Sequence, residues 1–182
     1  MTDAELIAGI RSRQRQAFDQ FYDRYAQIIF NLCLRILKDE TDAEDVVQEI
    51  FVQIWKEADR FDATRASVKT WLFTIARSRS LDRYRSRKTV QSRLEDHTDD
   101  SLQQMAGKED LQASSLMQQY VSNALSQLSA EQRVVLELSY YEGLTQEEIA
   151  GKLGEPLGTV KSRIRSALIK LRSLFAGDKT NV

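Results

Sequence analysis

Apolar residues recur every three or four positions along most of this chain, which is the spacing of one face of an α-helix. Thr2 with Glu5, and Thr41 with Glu44, have the spacing of a capping box at a helix start. We therefore expect a short helix at the N-terminus and three longer amphipathic helices after it. Their apolar stripes are Phe18, Phe21, Tyr22, Tyr25, Ile28, Ile29, Leu32 and Ile36; then Ala43, Val46, Val47, Ile50, Phe51, Ile54, Trp55 and Ala58; then Val68, Trp71, Leu72 and Ile75.

The helical pattern resumes near residue 117. Ser129 with Gln132, and Thr145 with Glu148, again have capping-box spacing. Gly143 and Gly154 suit left-handed helix stops, and Pro156 suits the start of a last helix. A helix, a tight turn and a second helix are therefore predicted over residues 144–172. The stripes that lead to it are Met117, Tyr120, Val121, Ala124, Leu125 and Leu128, then Val134, Val135 and Leu138.

Composition changes between these two helical parts. The chain has one proline and seven glycines, which favours helices throughout, but residues 89–115 are acidic, rich in Gln and Ser and poor in aromatic side chains. Such a segment buries too little apolar surface to form a core. We predict an all-α protein with a helical domain at 1–90, a flexible acidic linker at 91–114 and a second helical domain at 115–178.

The charges are segregated, although the formal net charge is only −1. Positions 77–93, at the end of the third long helix, contain seven basic residues and a single acid, Asp82. Proteins that bind single-stranded nucleic acid combine cations along the nucleic-acid backbone with aromatic side chains on which bases stack. Here Trp71, Phe73 or Tyr84 could supply such a stacking face. Trp71 also has core spacing, so burial is the competing interpretation.

The predicted helix–turn–helix is the most specific local pattern. Ala150 permits a close helix crossing, Gly154 permits the turn, and Ile149 and Val160 close the angle from inside. The second helix of this motif enters the DNA major groove. Its cations and hydroxyls could instead form a solvated face. The side chains near its start are Thr159, Lys161, Ser162, Arg163, Arg165 and Ser166.

Several classes of function are disfavoured. Cys33 is the only cysteine and His97 the only histidine, so an internal disulfide is impossible and a zinc site would lack its usual ligands. We found no Gly-rich phosphate loop and no nucleophile with a partner histidine, so we expect neither an enzyme nor a cofactor. With no signal segment and no apolar run of about 18 residues, a cytoplasmic protein without membrane insertion is expected.

Three segments in this order resemble the extracytoplasmic-function (ECF) sigma factors of bacterial RNA polymerase. DAEDVVQEIFVQIW (residues 42–55) is similar to the family's helix that binds the polymerase core. WLFTIARSRSLDRYR (residues 71–85) resembles its −10 segment. LSAEQRVVLELSYYEGLTQEEIAGKLGEPLGTVKSRIRSAL (residues 128–168) resembles its −35 domain. The likeness covers almost the whole chain.

The resemblance implies a transcription initiation factor with three sets of contacts. The first binds the polymerase core at the clamp of its largest subunit, the flap being a further contact: Asp45, Val46, Val47, Gln48, Glu49, Phe51 and Trp55. The second melts and captures the −10 strand: Phe61, Ser67, Trp71, Arg77, Ser78, Asp82, Arg83 and Arg85. The third reads the −35 duplex: Thr145, Thr159, Lys161, Ser162, Arg163, Arg165 and Ser166.

The sequence of the last segment most resembles the subgroup held inactive by anti-sigma factors, which can be membrane-anchored. Many relatives have Asn where this chain has Ser78, which leaves its −10 preference open. Two alternatives remain at this point. A stand-alone helix–turn–helix regulator would need a dimer and a paired operator. A protein-interaction adapter would use its basic helices to bind an acidic partner.

Overall fold

The computed structural model describes residues 1–94 and 123–177, and it divides into two compact units, Met1–Leu111 and Gln112–Val182. Every regular element in those described ranges is helical, which confirms the all-α prediction. The predicted linker lies outside the described residues except for its first four, which continue a helix to Leu94.

The first unit contains α1 (Asp3–Arg11), α2 (Arg15–Leu37), α3 (Glu40–Glu57), a 3-10 turn (Ala58–Arg60) and α4 (Val68–Leu94). α2 packs against the three other helices. Most residues of the predicted stripes form its core; Tyr22 and Ile28 are exposed, and Phe18, Trp55, Trp71 and Ile75 are half-buried. Each large apolar side chain buried in this way contributes about 1.5–3 kcal/mol. The fully buried large residues are Leu6, Ile7, Ile10, Phe21, Ile29, Val46, Ile50, Ile54 and Leu72.

α1 and α2 approach each other closely at Gly9. A Cβ atom at this position would lie 2.5 Å from the Cβ of Ala17, which is closer than carbon atoms pack. The glycine therefore lets the end of α1 lie directly on the first turns of α2.

The predicted start of α3 is wrong by two residues. Thr41 lies inside the helix, and the N-cap is Asp39, whose Oδ1 accepts a hydrogen bond from the backbone N–H of Asp42 at 2.9 Å. The short connection between α2 and α3 explains the difference. The C-cap of α2 is Lys38, whose backbone is in the left-handed region at φ 55°. Only Lys38 and Asp39 then separate the two helices. The other three predicted capping boxes are present, at Thr2, Ser129 and Thr145.

The second unit contains helical residues 123–126, then α5 (Ala130–Tyr140), α6 (Gln146–Leu153) and α7 (Leu157–Gly177). α6 ends at Gly154 with φ 64°, and the carbonyl of Pro156 accepts a hydrogen bond from Val160 at 3.2 Å, so α7 follows after three residues. The predicted helix–turn–helix is therefore present. Its buried core is Val135, Leu138, Ile149, Val160 and Ile164.

Two general features of the described residues complete the fold. Among residues 1–94 and 123–177, no helix combines the length and the apolar character needed to cross a membrane. Cys33 is buried inside the first unit, and this burial raises the pKa of its thiol.

Candidate partner and nucleic-acid interfaces

The outer face of α3 carries acidic and amide side chains around one apolar residue. Of the residues predicted to meet a partner, Asp45, Gln48 and Glu49 are exposed. We call this exposed set the α3 surface: Thr41, Glu44, Asp45, Gln48, Glu49, Val52 and Lys56. Its members recur every three or four residues, so they share one side of the helix.

Three of the predicted contact residues lie on the opposite side of α3. Val46, Val47 and Phe51 are 0%, 5% and 2% exposed, and they pack in the core of the first unit. This corrects the prediction that they line the surface, since side chains with almost no accessible area support it from beneath. Trp55 is half-buried, with its ring edge-on to Phe18 at a centroid distance of 5.2 Å.

The sequence reasoning missed Val52, which is 50% exposed in the middle of the α3 surface. A signal was available, because Val52 is apolar but stands outside the stripe that runs from Ala43 to Ala58. An apolar side chain surrounded by polar ones is the pattern found at the centre of protein interfaces.

The arginines of α4 point in two directions. Arg79, Arg83 and Arg87 face α3, where Arg79 Nε donates to Gln53 at 2.9 Å. Arg83 donates to Asp42 at 3.2 Å and to Glu49 at 2.8 Å. Arg87 lies 3.4 Å from Asp39 and also pairs with Asp42. The predicted −10 residue Arg83 is therefore engaged by the helix that bears the α3 surface.

A second stripe on α4 faces solvent. Ser78, Asp82 and Arg85 are exposed at spacings of four and three residues, while Arg77 is half-buried on another side. The predicted −10 residues of α4 thus divide into an exposed group, which we call the α4 stripe, and a group turned toward the rest of the unit.

The loop 61–67, which joins the 3-10 turn to α4, is internally bonded. Phe61 is largely buried, and its ring lies 5.4 Å from that of the half-buried Trp71. Asp62 accepts hydrogen bonds from the side chain and the backbone of Thr64, and these bonds lower the pKa of its carboxyl. Ser67 caps α4 by accepting from the N–H of Thr70 at 3.1 Å. Phe61 and Trp71 therefore support the loop, and its exposed residues lie between them.

The helix–turn–helix also presents its predicted residues on two sides. Lys161, Ser162 and Arg165 are exposed, whereas Thr159 and Arg163 are half-buried. Arg163 forms an ion pair with Glu155 of the turn at 2.9 Å. Ser166, although exposed, accepts a hydrogen bond from Gln132 of α5 at 2.9 Å and donates one to the carbonyl of Arg163.

The exposed side of α7 forms a shallow groove with the start of α6. Three of the lining residues are cations and, within this described part of the chain, none is an acid. Gln146, which lines the groove, is the first residue of α6 and follows the N-cap Thr145, so the start of α6 borders the same groove. We call this the α7 groove: Gln146, Lys161, Ile164, Arg165, Leu168, Ile169 and Arg172.

Comparison with known families identifies the family to which this chain belongs. Residues 21–90 match the Sigma-70 region 2 family and residues 124–173 match the Sigma-70 region 4 family. The ECF RNA polymerase sigma factor SigK of Mycobacterium bovis (strain BCG / Pasteur) is 33% identical over 172 residues, which cover 92% of this chain and 90% of SigK. The chain belongs to the ECF sigma factors. SigK of Mycobacterium ulcerans is 35% identical over 179 residues, with the same two coverages.

A solved structure agrees with this assignment. The Rhodobacter sphaeroides sigma factor SigE, solved in complex with the anti-sigma ChrR, is 31% identical, with coverage of 94% of this chain and 96% of that one and a TM-score of 0.50. As a sigma factor, the protein directs promoter-specific transcription by RNA polymerase. Sigma factors are initiation factors and not enzymes.

The region 2 match does not include the first helix of the first unit. The region 2 match of this sigma factor begins at residue 21, inside α2, so α1 and the first turns of α2 precede it. The region 4 match begins with the helical residues 123–126 and ends within α7.

Proposed function

We propose that this sigma factor works through three surfaces: the α3 surface binds the polymerase core, the loop 61–67 with the α4 stripe captures the −10 strand, and the α7 groove meets the −35 duplex. The observation that carries the proposal is the grouping of charge by face. Acids and amides share the α3 surface, whereas cations share the α7 groove with the start of α6.

The α3 surface has the composition of a transient protein interface. Val52 supplies an apolar centre, and Asp45, Gln48 and Glu49 supply a charged and hydrogen-bonding rim. A rim of this sign favours a basic partner surface and accelerates its association. We assign the clamp of the largest polymerase subunit to it, and the flap to the second unit.

The −10 contact combines a shaped loop with a polar helix face. Residues 62–65 of the loop are exposed and can receive an unpaired base, while the exposed Arg85 and Ser78 offer donors to the phosphates and base edges of the strand. Ser78 offers a hydroxyl where an amide would give two bonds. A weaker preference at that base follows.

The −35 contact is carried by the start of α7 and of α6. Lys161 and Arg165 bring cations to the groove, and the N-terminus of α6 at Thr145 offers backbone donors for a phosphate. Arg163 is the less direct reader, because its guanidinium is already bonded to Glu155 in the turn. We therefore place base contacts first on Ser162 and Arg165.

The two units are proposed to act as domains over 1–90 and 115–178 with a linker at 91–114. Two weak readings joined by one polymerase give a specific complex through their raised effective concentration. SigE was solved with an anti-sigma protein, and we propose that an anti-sigma partner of this kind holds this chain as well. Its place of action is the cytoplasm, where polymerase and promoter DNA are found.

Run-off transcription with purified polymerase core and the full chain tests the proposal on templates whose −35 and −10 elements are varied separately. Arg165→Ala should lower −35-dependent transcription by roughly tenfold, as expected for one good base or phosphate contact. Arg133→Ala, an exposed arginine on α5, is the control. Val52→Glu should abolish binding to core, with Ile28→Glu on α2 as its matched exposed control.

Two results would overturn the proposal. One is a core that stays silent on a broad pool of genomic templates while the protein alone binds one DNA sequence tightly, which would favour a stand-alone regulator. The other is core binding that Val52→Glu and Ile28→Glu weaken equally, which would remove the α3 surface from the contact.

A further inference from the structure

Two arginines at the junction of α1 and α2 donate hydrogen bonds to backbone carbonyls near the start of the loop 61–67. Arg11 is the last residue of α1, and its Nε donates to the carbonyl of Ala58 at 3.0 Å, while its Nη2 donates to the carbonyl of Phe61. Arg13 Nη1 donates to the carbonyl of Trp55. These bonds span 42 to 50 residues of sequence.

The aromatic rings at the same place extend this hold. The guanidinium of Arg11 lies 5.9 Å from the ring centroid of Phe61, and that ring contacts Trp71 of α4. The guanidinium of Arg13 lies 5.5 Å from the ring of Trp55. Cation–π contacts of this kind add to the hydrogen bonds, so each arginine is fixed by both charge and packing.

The hold acts where the loop 61–67 begins. The carbonyl of Ala58 also accepts the N–H of Phe61 at 3.1 Å, and from there residues 62–66 form a turn with Arg65 N–H bonded to the Asp62 carbonyl at 3.1 Å. The far end of the loop is fixed by Ser67 at the cap of α4. At the near end, the loop follows the three-residue 3-10 turn Ala58–Arg60, and Arg11 binds the carbonyls of Ala58 and Phe61 there.

We propose that Arg11 is a positioning residue for −10 recognition: by holding the carbonyls of Ala58 and Phe61 it sets the conformation in which residues 62–66 receive the unpaired base. This rests on the proposed role of the loop. Arg11 itself need not touch DNA, because its action passes through the backbone of Phe61.

The first test measures the hold without any DNA. Arg11→Gln removes the charge and the second donor arm, so amide hydrogen exchange of Thr64, Arg65 and Ala66 should accelerate by roughly tenfold, as expected when charge-assisted hydrogen bonds are lost. Exchange in the middle of α3 should stay as it is. Arg60→Ala is the matched control, because Arg60 lies in the same turn, is 75% exposed and pairs only locally with Glu57.

The second test measures selectivity in transcription by the full chain with core. Arg11→Gln should reduce the preference between −10 variants by roughly five- to tenfold, because the loop loses charge-assisted bonds that define it. Preference between −35 variants should be unchanged. Arg11→Lys keeps the charge but cannot reach two carbonyls and stack at once, so it should behave like Arg11→Gln.

The outcomes separate this inference from the proposed function. Unchanged exchange at residues 64–66 in Arg11→Gln overturns the hold, whatever transcription shows. Faster exchange with a full −10 preference overturns the link to recognition, as does full recovery by Arg11→Lys. A wild-type chain that gives no −10-dependent transcript counts against the proposed function, while the exchange result still decides whether Arg11 positions the loop.

Discussion

The guanidinium of Arg83 on α4 joins Asp42 and Glu49 on α3, at 3.2 and 2.8 Å. Arg87 adds a second arginine to Asp42, one turn further along α4. The helix proposed to carry core contacts and the helix proposed to carry −10 contacts are therefore joined by a charge network as well as by their apolar faces.

Removal of Asp42 should destabilise the first unit more than removal of an ordinary surface acid. Asp42→Ala takes the shared acceptor from Arg83 and Arg87, and its side chain is only 17% exposed, so we expect a loss of about 1–2 kcal/mol in the free energy of unfolding. Urea denaturation measures it. Asp19→Ala is the control, because Asp19 is 59% exposed and pairs with the exposed Arg15 at 3.7 Å. Equal losses would show that the network adds nothing.

Gly151 inside α6 and Gly154 at its end should respond in opposite directions to alanine. Gly154 has φ 64°, so Gly154→Ala should destabilise the second unit by about 1 kcal/mol. Gly151 lies in α6 with nothing within 4 Å of an added Cβ, so Gly151→Ala should stabilise it by about 0.5–1 kcal/mol. The midpoint of thermal unfolding of the second unit, measured in the full chain, distinguishes the two variants. A shift of the same sign in both variants would contradict the turn geometry.

The cap of α3 should make part of the stability depend on pH. The N–H of Asp42 donates to Asp39 and lowers the pKa of this carboxyl below its usual value of about 3.9. The folded state therefore binds this proton less readily than the unfolded state, so the contribution of Asp39 is present above about pH 4 and is lost as the pH falls through the lowered value.

Asp39→Asn tests this, since asparagine still caps a helix but does not titrate. Unfolding by urea at several pH values should show wild type more stable than the variant at neutral pH, with the difference vanishing in acid. Thr41→Ala, at the position that the sequence suggested for the cap, should follow the wild-type pH dependence. A constant offset between Asp39→Asn and wild type at every pH would rule out the titration.

Local patterns in the sequence predicted what depends on local geometry. The apolar stripes, the capping boxes at Ser129 and Thr145, and the turn at Gly154 each involve residues within one or two helical turns. The cap at Thr41 failed because Asp39 and Thr41 offer similar capping signals two residues apart, and the length of the preceding connection decided between them. That length depends on where α2 stops.

The contact residues were harder to predict because a contiguous motif winds around a helix. Asp45 and Val46 are neighbours in sequence, yet one is exposed and the other is fully buried. Arg11 could not be found at all from its own surroundings. It looks like an ordinary basic residue at a helix end, and only the folding of α1 onto α2 brings it to Phe61, 50 residues later.

The position of Arg11 has a consequence for exchanging promoter preferences between sigma factors. A chimera cut where the region 2 match begins, at residue 21, would take the loop and α4 from this chain but α1 from the recipient. The transplanted loop would then arrive without the side chain that fixes its first carbonyls, and without the Gly9 crossing that places it. On the proposed role of Arg11, a transferable −10 module of this protein begins at α1.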